Sequence, residues 1–140
     1  MSVTSPILAP VVALVAWSML MWLWMYATRI PAMQRAKMRL DSSAPRGEQM
    51  ATLPAPVRWK ADNYNHLMEQ PTLFYAIAIV LAIVDPDRPN QILAWAYVGS
   101  RVAHSLVQSL VNKIEVRFSL FAIGSLILFA LTARAAWALS

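Results

Sequence analysis

The chain has 140 residues, of which 59% are hydrophobic and 14% charged. A water-soluble domain of this size needs more polar surface, so composition points to lipid as the solvent. Twelve Lys and Arg against seven Asp and Glu leave a net charge of +5, and the absence of cysteine excludes disulfides, thiolate metal sites and a cysteine nucleophile.

Length limits residues 1–140 to one domain and leaves no room for a soluble catalytic domain beside membrane spans. The first apolar stretch, 6–28, carries no charge. At ~1.5 Å per residue it reaches ~34 Å, enough to cross a hydrocarbon core of ~30 Å. It lacks a basic n-region and a good cleavage site, so it reads as a retained span rather than a signal peptide.

Residues 29–61 change character. Arg29, Arg35, Lys37, Arg39, Arg46, Arg58 and Lys60 are seven of the twelve cations, and Pro31, Pro45, Gly47, Pro54 and Pro56 interrupt the periodicity. This is a long basic loop, with a helical continuation through 33–40. A second span is expected over 62–84. Its clean apolar run, 71–84, is too short to cross, and the extension draws Asn63, Asn65, His66 and Glu69 to the membrane boundary. A turn at 85–89 leads to a third span, 90–111, carrying Arg101 and His104 near its middle, and a fourth covers 117–137. The fold class expected is an all-α membrane protein, a four-transmembrane-helix bundle.

The first and third loops hold nine of the twelve cations, counting Lys113 and Arg117 with the seven above. The positive-inside rule places both loops in the cytoplasm and both termini outside, in a membrane that fits a bacterial inner membrane. The same rule accounts for the basic charge. No nucleic-acid-binding motif accompanies it, so the bilayer and not nucleic acid is the expected partner. Two histidines leave little for a metal site, and none is expected.

A charge at the bilayer centre costs roughly 2.5–3.5 kcal/mol on insertion scales, so buried charges should find partners. Asn65, His66 and Glu69 share one helical face by their three- and four-residue spacing, and Arg101, His104 and Gln108 form a similar stripe. Counted from the cytoplasmic ends, Glu69 lies ~10 Å deep and Arg101 ~15 Å, close enough in depth for a salt bridge between helices or subunits. The stripe reads as a structural lock between helices, or as a cytoplasm-facing pocket for an anionic or zwitterionic ligand. A proton path fits less well, because nothing ionisable continues to the outer side. Gly99 with Ala103 one turn later permits a close helix approach.

The segment Gly99-Ser100-Arg101-Val102-Ala103-His104-Ser105 resembles the G-R-V-A-H-T of the prostaglandin E synthase branch of the MAPEG family, the membrane-associated proteins in eicosanoid and glutathione metabolism. Arg117 falls at the spacing of that family's catalytic arginine. His66-Leu67-Met68-Glu69-Gln70-Pro71 is similar to its N-x-x-E segment at the head of the second helix. The resemblance implies a homotrimer binding glutathione as cosubstrate between subunits, and a hydrophobic small-molecule electrophile arriving from the bilayer. It implies that Arg117 stabilises the thiolate, that Glu69 binds the amino group, and that Arg101 and His104 bind the rest. Asn65, His66 and Gln108 join them, with Arg35 as the first-helix arginine. The alternative is a non-catalytic member of the same fold that binds a lipid or partner. The sequence departs from the pattern at four positions: His66 replaces an asparagine, Gln108 and Phe121 replace tyrosines, and Phe118 replaces a serine. The hydroxyl donors of the last three positions are absent.

Overall fold

A computed structural model describes residues 4–140. Among them there is no strand; the chain forms α1 (Leu8–Arg35), α2 (Ala55–Leu67), α3 (Pro71–Val84), α4 (Arg88–Leu110) and α5 (Ile114–Leu139), with one short 3-10 turn at Met50–Thr52. Helices α2 and α3 make one broken rod, Ala55–Val84.

Three of these rods, Leu8–Arg35, Ala55–Val84 and Ile114–Leu139, are long and apolar enough to cross a membrane. Their most apolar windows bury only 28%, 28% and 17% of their residues inside the bundle. The rest, such as Val12, Leu23, Ile83, Leu126 and Phe129, point outward. So much exposed hydrocarbon is stable only against lipid, and the protein is an integral membrane protein. Helix α4 is as long as a span, but Asn90, Ser100, Arg101, His104, Ser105, Gln108 and Ser109 dilute its apolar character. All seven are buried against the neighbouring helices. The outward side of α4 carries Ile92, Trp95, Leu106 and Leu110.

Helix α1 runs past the expected end of the first span, through Pro31 to Arg35. It stops in a Schellman turn: Lys37 adopts a left-handed φ of 49°, and Met38 N–H reaches back to the Met33 carbonyl at 3.1 Å. The loop that follows is folded on itself. Gln49 accepts from Asp41 N–H at 3.1 Å and donates to the Arg39 carbonyl at 2.7 Å. Two hydrogen bonds from Ser43 hold the exposed Asp41 carboxyl below the usual carboxylate range.

Pro71 explains the break in the second rod. It has no N–H and its ring excludes a carbonyl one turn back, so 68–70 tighten into short-range turns before α3 begins. At the opposite end, Asp87 caps α4 by accepting from Asn90 N–H at 3.0 Å. Arg134 of α5 reaches the same turn, pairing with Asp87 at 2.7 Å and with Asp85 at 3.9 Å, and donating to the Asn90 side chain.

Helix α4 packs most extensively on α5 and also contacts α1 and α2. Phe74 and Tyr97 stack at 4.5 Å within an apolar core that includes Leu14, Leu81 and Leu131. The close approach of α4 and α5 occurs at Gly124, where an added Cβ would lie 3.0 Å from Ser100 Oγ. Within the chain no helix approaches Gly99, which faces open space on the outward side of α4. A small residue permits close packing only where a neighbouring helix arrives.

Candidate functional site

Arg101 is 1% exposed, and its Nη2 lies 2.6 Å from His66 Nδ1. Its Nε and Nη1 are buried without a hydrogen-bond partner. The His66 ring stacks on His104 with centroids 4.7 Å apart and planes at 21°, and Phe121 meets it edge-on at 5.5 Å. The third span thus delivers Arg101 and His104 from one face of α4 to the residue just before the helix break.

Arg117 completes this group. After α4, Asn112 turns the chain with a left-handed φ of 55°, a conformation that asparagine tolerates. Its Oδ1 accepts from Arg117 Nη1 at 2.5 Å, while Arg117 Nε has no partner. Because α5 begins at Ile114, Arg117 sits in its first turn, where unpaired backbone N–H groups add partial positive charge. His66, His104, Ile114, Arg117, Phe118 and Phe121 line an open cavity of about 210 Å³. Arg101 stands behind His66 and is not part of that wall.

No carboxylate of the chain lies within 4 Å of these cations. Among the described residues the ion pairs within 4 Å all belong to Arg134, at the far end of α5. The expected Glu69–Arg101 pair is therefore not made within the chain. Glu69 lies in the break that Pro71 imposes, which leaves its side chain exposed. Its carbonyl receives the Thr72 hydroxyl. His66, one turn earlier, is what Arg101 meets instead.

The remaining expected site residues are dispersed. Asn65 lines a different cavity of about 380 Å³, between α1, α2 and the basic loop, with Arg29, Arg46, Arg58 and Asp62. Consecutive residues on a helix diverge by ~100°, so Asn65 and His66 serve different faces of α2. Gln108 is buried, its Oε1 unpartnered, near the interior polar atoms of Ser105 and Ser109 rather than at the 210 Å³ cavity. Arg35 is exposed at the last turn of α1 and lines neither cavity. Arg29 is the α1 arginine that does line one, and its buried Nε has no partner. Reading the helix as ending at 28 hid it.

A third feature faces the lipid. An apolar groove of about 470 Å³ runs between α3 and α5 past Leu73, Ile77, Val80, Leu128 and Phe129. Gln70 closes its end, donating to Ser125 at 2.8 Å and accepting from Tyr97 at 3.1 Å. On α5 the groove residues Ser125, Leu128 and Thr132 continue the stripe of Arg117, Phe118 and Phe121 at three- and four-residue steps. Among the described residues no cluster of His, Asp or Glu could hold a metal ion.

The family model described as MAPEG family matches residues 7–137, nearly the whole chain. The chain belongs to the MAPEG family. No curated protein and no solved structure matches it. Two of the three positions at which the resemblance implies a hydroxyl, Phe118 and Phe121, lie on the wall of the 210 Å³ cavity. The third, Gln108, lies inside the bundle.

Proposed function

We propose that this MAPEG protein is a membrane-bound, glutathione-dependent enzyme of the transferase or peroxidase type, acting on hydrophobic electrophiles that arrive from the bilayer. One observation carries the reading. Arg117 and two imidazoles face a small cavity, Arg101 lies behind them, and no carboxylate of the chain comes within 4 Å of either arginine. Uncompensated cations out of water cost several kcal/mol each, so the site favours an anion that arrives from outside. A thiolate beside Arg117 and the first turn of α5 is such an anion, and the nearby positive charge favours ionisation of the thiol.

The cavity volume of about 210 Å³ fits the cysteinyl part of glutathione, not the whole tripeptide. The exposed Glu69 is free to take the ammonium group. The second cationic cavity, with Arg29, Arg46 and Arg58, suits a carboxylate. Because these groups lie on different faces of α2, one glutathione reaches both kinds of group most readily across a contact between copies, which favours a homotrimer. The chain then crosses the membrane four times, its basic loop in the cytoplasm where glutathione is abundant. The thiolate sulfur attacks an electrophilic carbon and the leaving group departs with its electron pair, or it attacks a peroxide oxygen, the O–O bond breaks to release an alcohol, and a second glutathione converts the resulting sulfenic acid to disulfide and water. The apolar groove beside Gln70 gives a membrane-borne substrate a path along α5 to the sulfur.

The test is glutathione titration into the purified protein, followed by calorimetry and by the ultraviolet absorbance of the thiolate. Saturable binding with a thiolate band, and an Arg117→Ala variant that binds but loses the band and turnover, are expected. Full turnover in Arg117→Ala would remove the assigned role. The aromatic replacement of two hydroxyl positions on the cavity wall favours a second reading, a non-catalytic member that binds a lipid or partner. Absence of glutathione binding at millimolar concentration would select it.

A further inference from the structure

A thiolate needs hydrogen-bond donors as well as a nearby charge, and Phe118 and Phe121 offer none. His66 can. Arginine has only donors, so its 2.6 Å contact with His66 Nδ1 makes that nitrogen the acceptor. A neutral imidazole with Nδ1 accepting carries its proton on Nε2. Turning the ring over would replace Nδ1 by a carbon and strip Arg101 of its one partner, while Nε and Nη1 already have none. Stacking on His104 and the edge of Phe121 hold the ring plane. Among the described residues Nε2 has no hydrogen-bond partner, and it is not one of the enclosed unpaired atoms. It is left accessible at the cavity wall that His66 shares with Arg117.

We propose that His66 is a catalytic hydrogen-bond donor: its Nε2–H, fixed by Arg101, binds the glutathione sulfur as the thiol ionises beside Arg117. This rests on the glutathione reading above. The S–H bond breaks, its proton leaves to water, and the electron pair stays on sulfur. His66 keeps its proton throughout and adds no charge, so the attraction to Arg117 is undiluted. Arg101 is a positioning residue, acting on the sulfur only through the tautomer it imposes. The imidazole thus takes over the task for which Phe118 and Phe121 have no hydroxyl.

Two measurements test this. Nitrogen-15 histidine spectra of the ligand-free full chain report the tautomer directly. With two histidines in the chain, loss of one set of signals in His66→Gln assigns it. A non-protonated Nδ1 and a protonated Nε2 are expected; the reverse overturns the proposal, whatever the protein binds. In the second, His66→Leu binds glutathione with affinity reduced by no more than about tenfold, the loss of one neutral hydrogen bond. It loses most of the thiolate absorbance and roughly 100-fold in turnover, the scale of one donor removed from an anion site. His66→Gln, which retains an N–H, recovers part of both. A full thiolate band in His66→Leu overturns the assignment and leaves the glutathione reading standing. Wild-type protein that binds no glutathione removes both.

Discussion

Replacing Arg101 with methionine should leave the ligand-free protein at least as stable as wild type while impairing the site. The side chain is 1% exposed, and two of its three nitrogens have no partner. Each unsatisfied buried donor costs about 1–3 kcal/mol, and the charge itself costs several more to desolvate. Against this stands one charge-assisted bond to His66, worth about 1.5–3 kcal/mol. Methionine fills similar volume with no polar atoms, so little cavity cost arises. At mid-range the two donors alone outweigh the bond by about 1–2 kcal/mol and the desolvated charge adds to that, so the variant should gain at least about 1 kcal/mol, a rise of at least about 2–4 °C in Tm. Thermal unfolding in detergent, with and without glutathione, provides the assay. Ligand-free Arg101→Met should melt at or above wild type, and glutathione should raise its Tm less than it raises that of wild type. A fall of more than about 4 °C without ligand would refute the reasoning, because it would mean that Arg101 has a strong structural partner.

Two further outcomes follow from the helix contacts. In Gly124→Ala the new Cβ meets Ser100 Oγ at 3.0 Å, offsetting the roughly 1 kcal/mol of helix propensity that alanine brings. Ser100→Ala in the same chain should release that gain, so the double variant melts above Gly124→Ala; equal melting would show that the contact is slack. Arg134→Met removes the cation shared by Asp85, Asp87 and Asn90 and should lower stability by about 1–3 kcal/mol in thermal unfolding, with glutathione affinity unchanged. A matching loss of affinity would show that the two ends of α5 are coupled.

Much of this arrangement is legible in the sequence because membrane solvent imposes simple rules. The charge-free 6–28, the apolar 71–84 and the Asp-Pro-Asp turn each specify an element by composition alone. That Arg101 and His104 share one face of α4 follows from their three-residue step. What the sequence conceals depends on local backbone geometry. Pro31 and the cations after Thr28 resemble the start of a loop, yet α1 continues to Arg35 and carries Arg29 to a cavity. Asn65 diverges from His66 by ~100° even within α2, and His66 and Glu69 share a face only on an unbroken helix. Pro71 breaks it, separating the carboxylate from the arginine it was expected to neutralise.

That separation changes what the polar stripe can do. Had Glu69 closed on Arg101, the pair would be neutral, the bundle would be locked, and an incoming anion would have to displace a carboxylate. With Glu69 turned outward, Arg101 spends its single hydrogen bond on His66 and two of its nitrogens go without partners. The positive charge behind the cavity has no carboxylate of the chain within 4 Å. Arg117 is likewise held by a neutral acceptor, the Asn112 side-chain amide Oδ1, which orients the guanidinium without neutralising it. Both arginines are thus positioned by neutral groups, one imidazole and one amide. On the glutathione reading this choice keeps the site open to an incoming anion, which would otherwise have to displace a carboxylate held against either arginine.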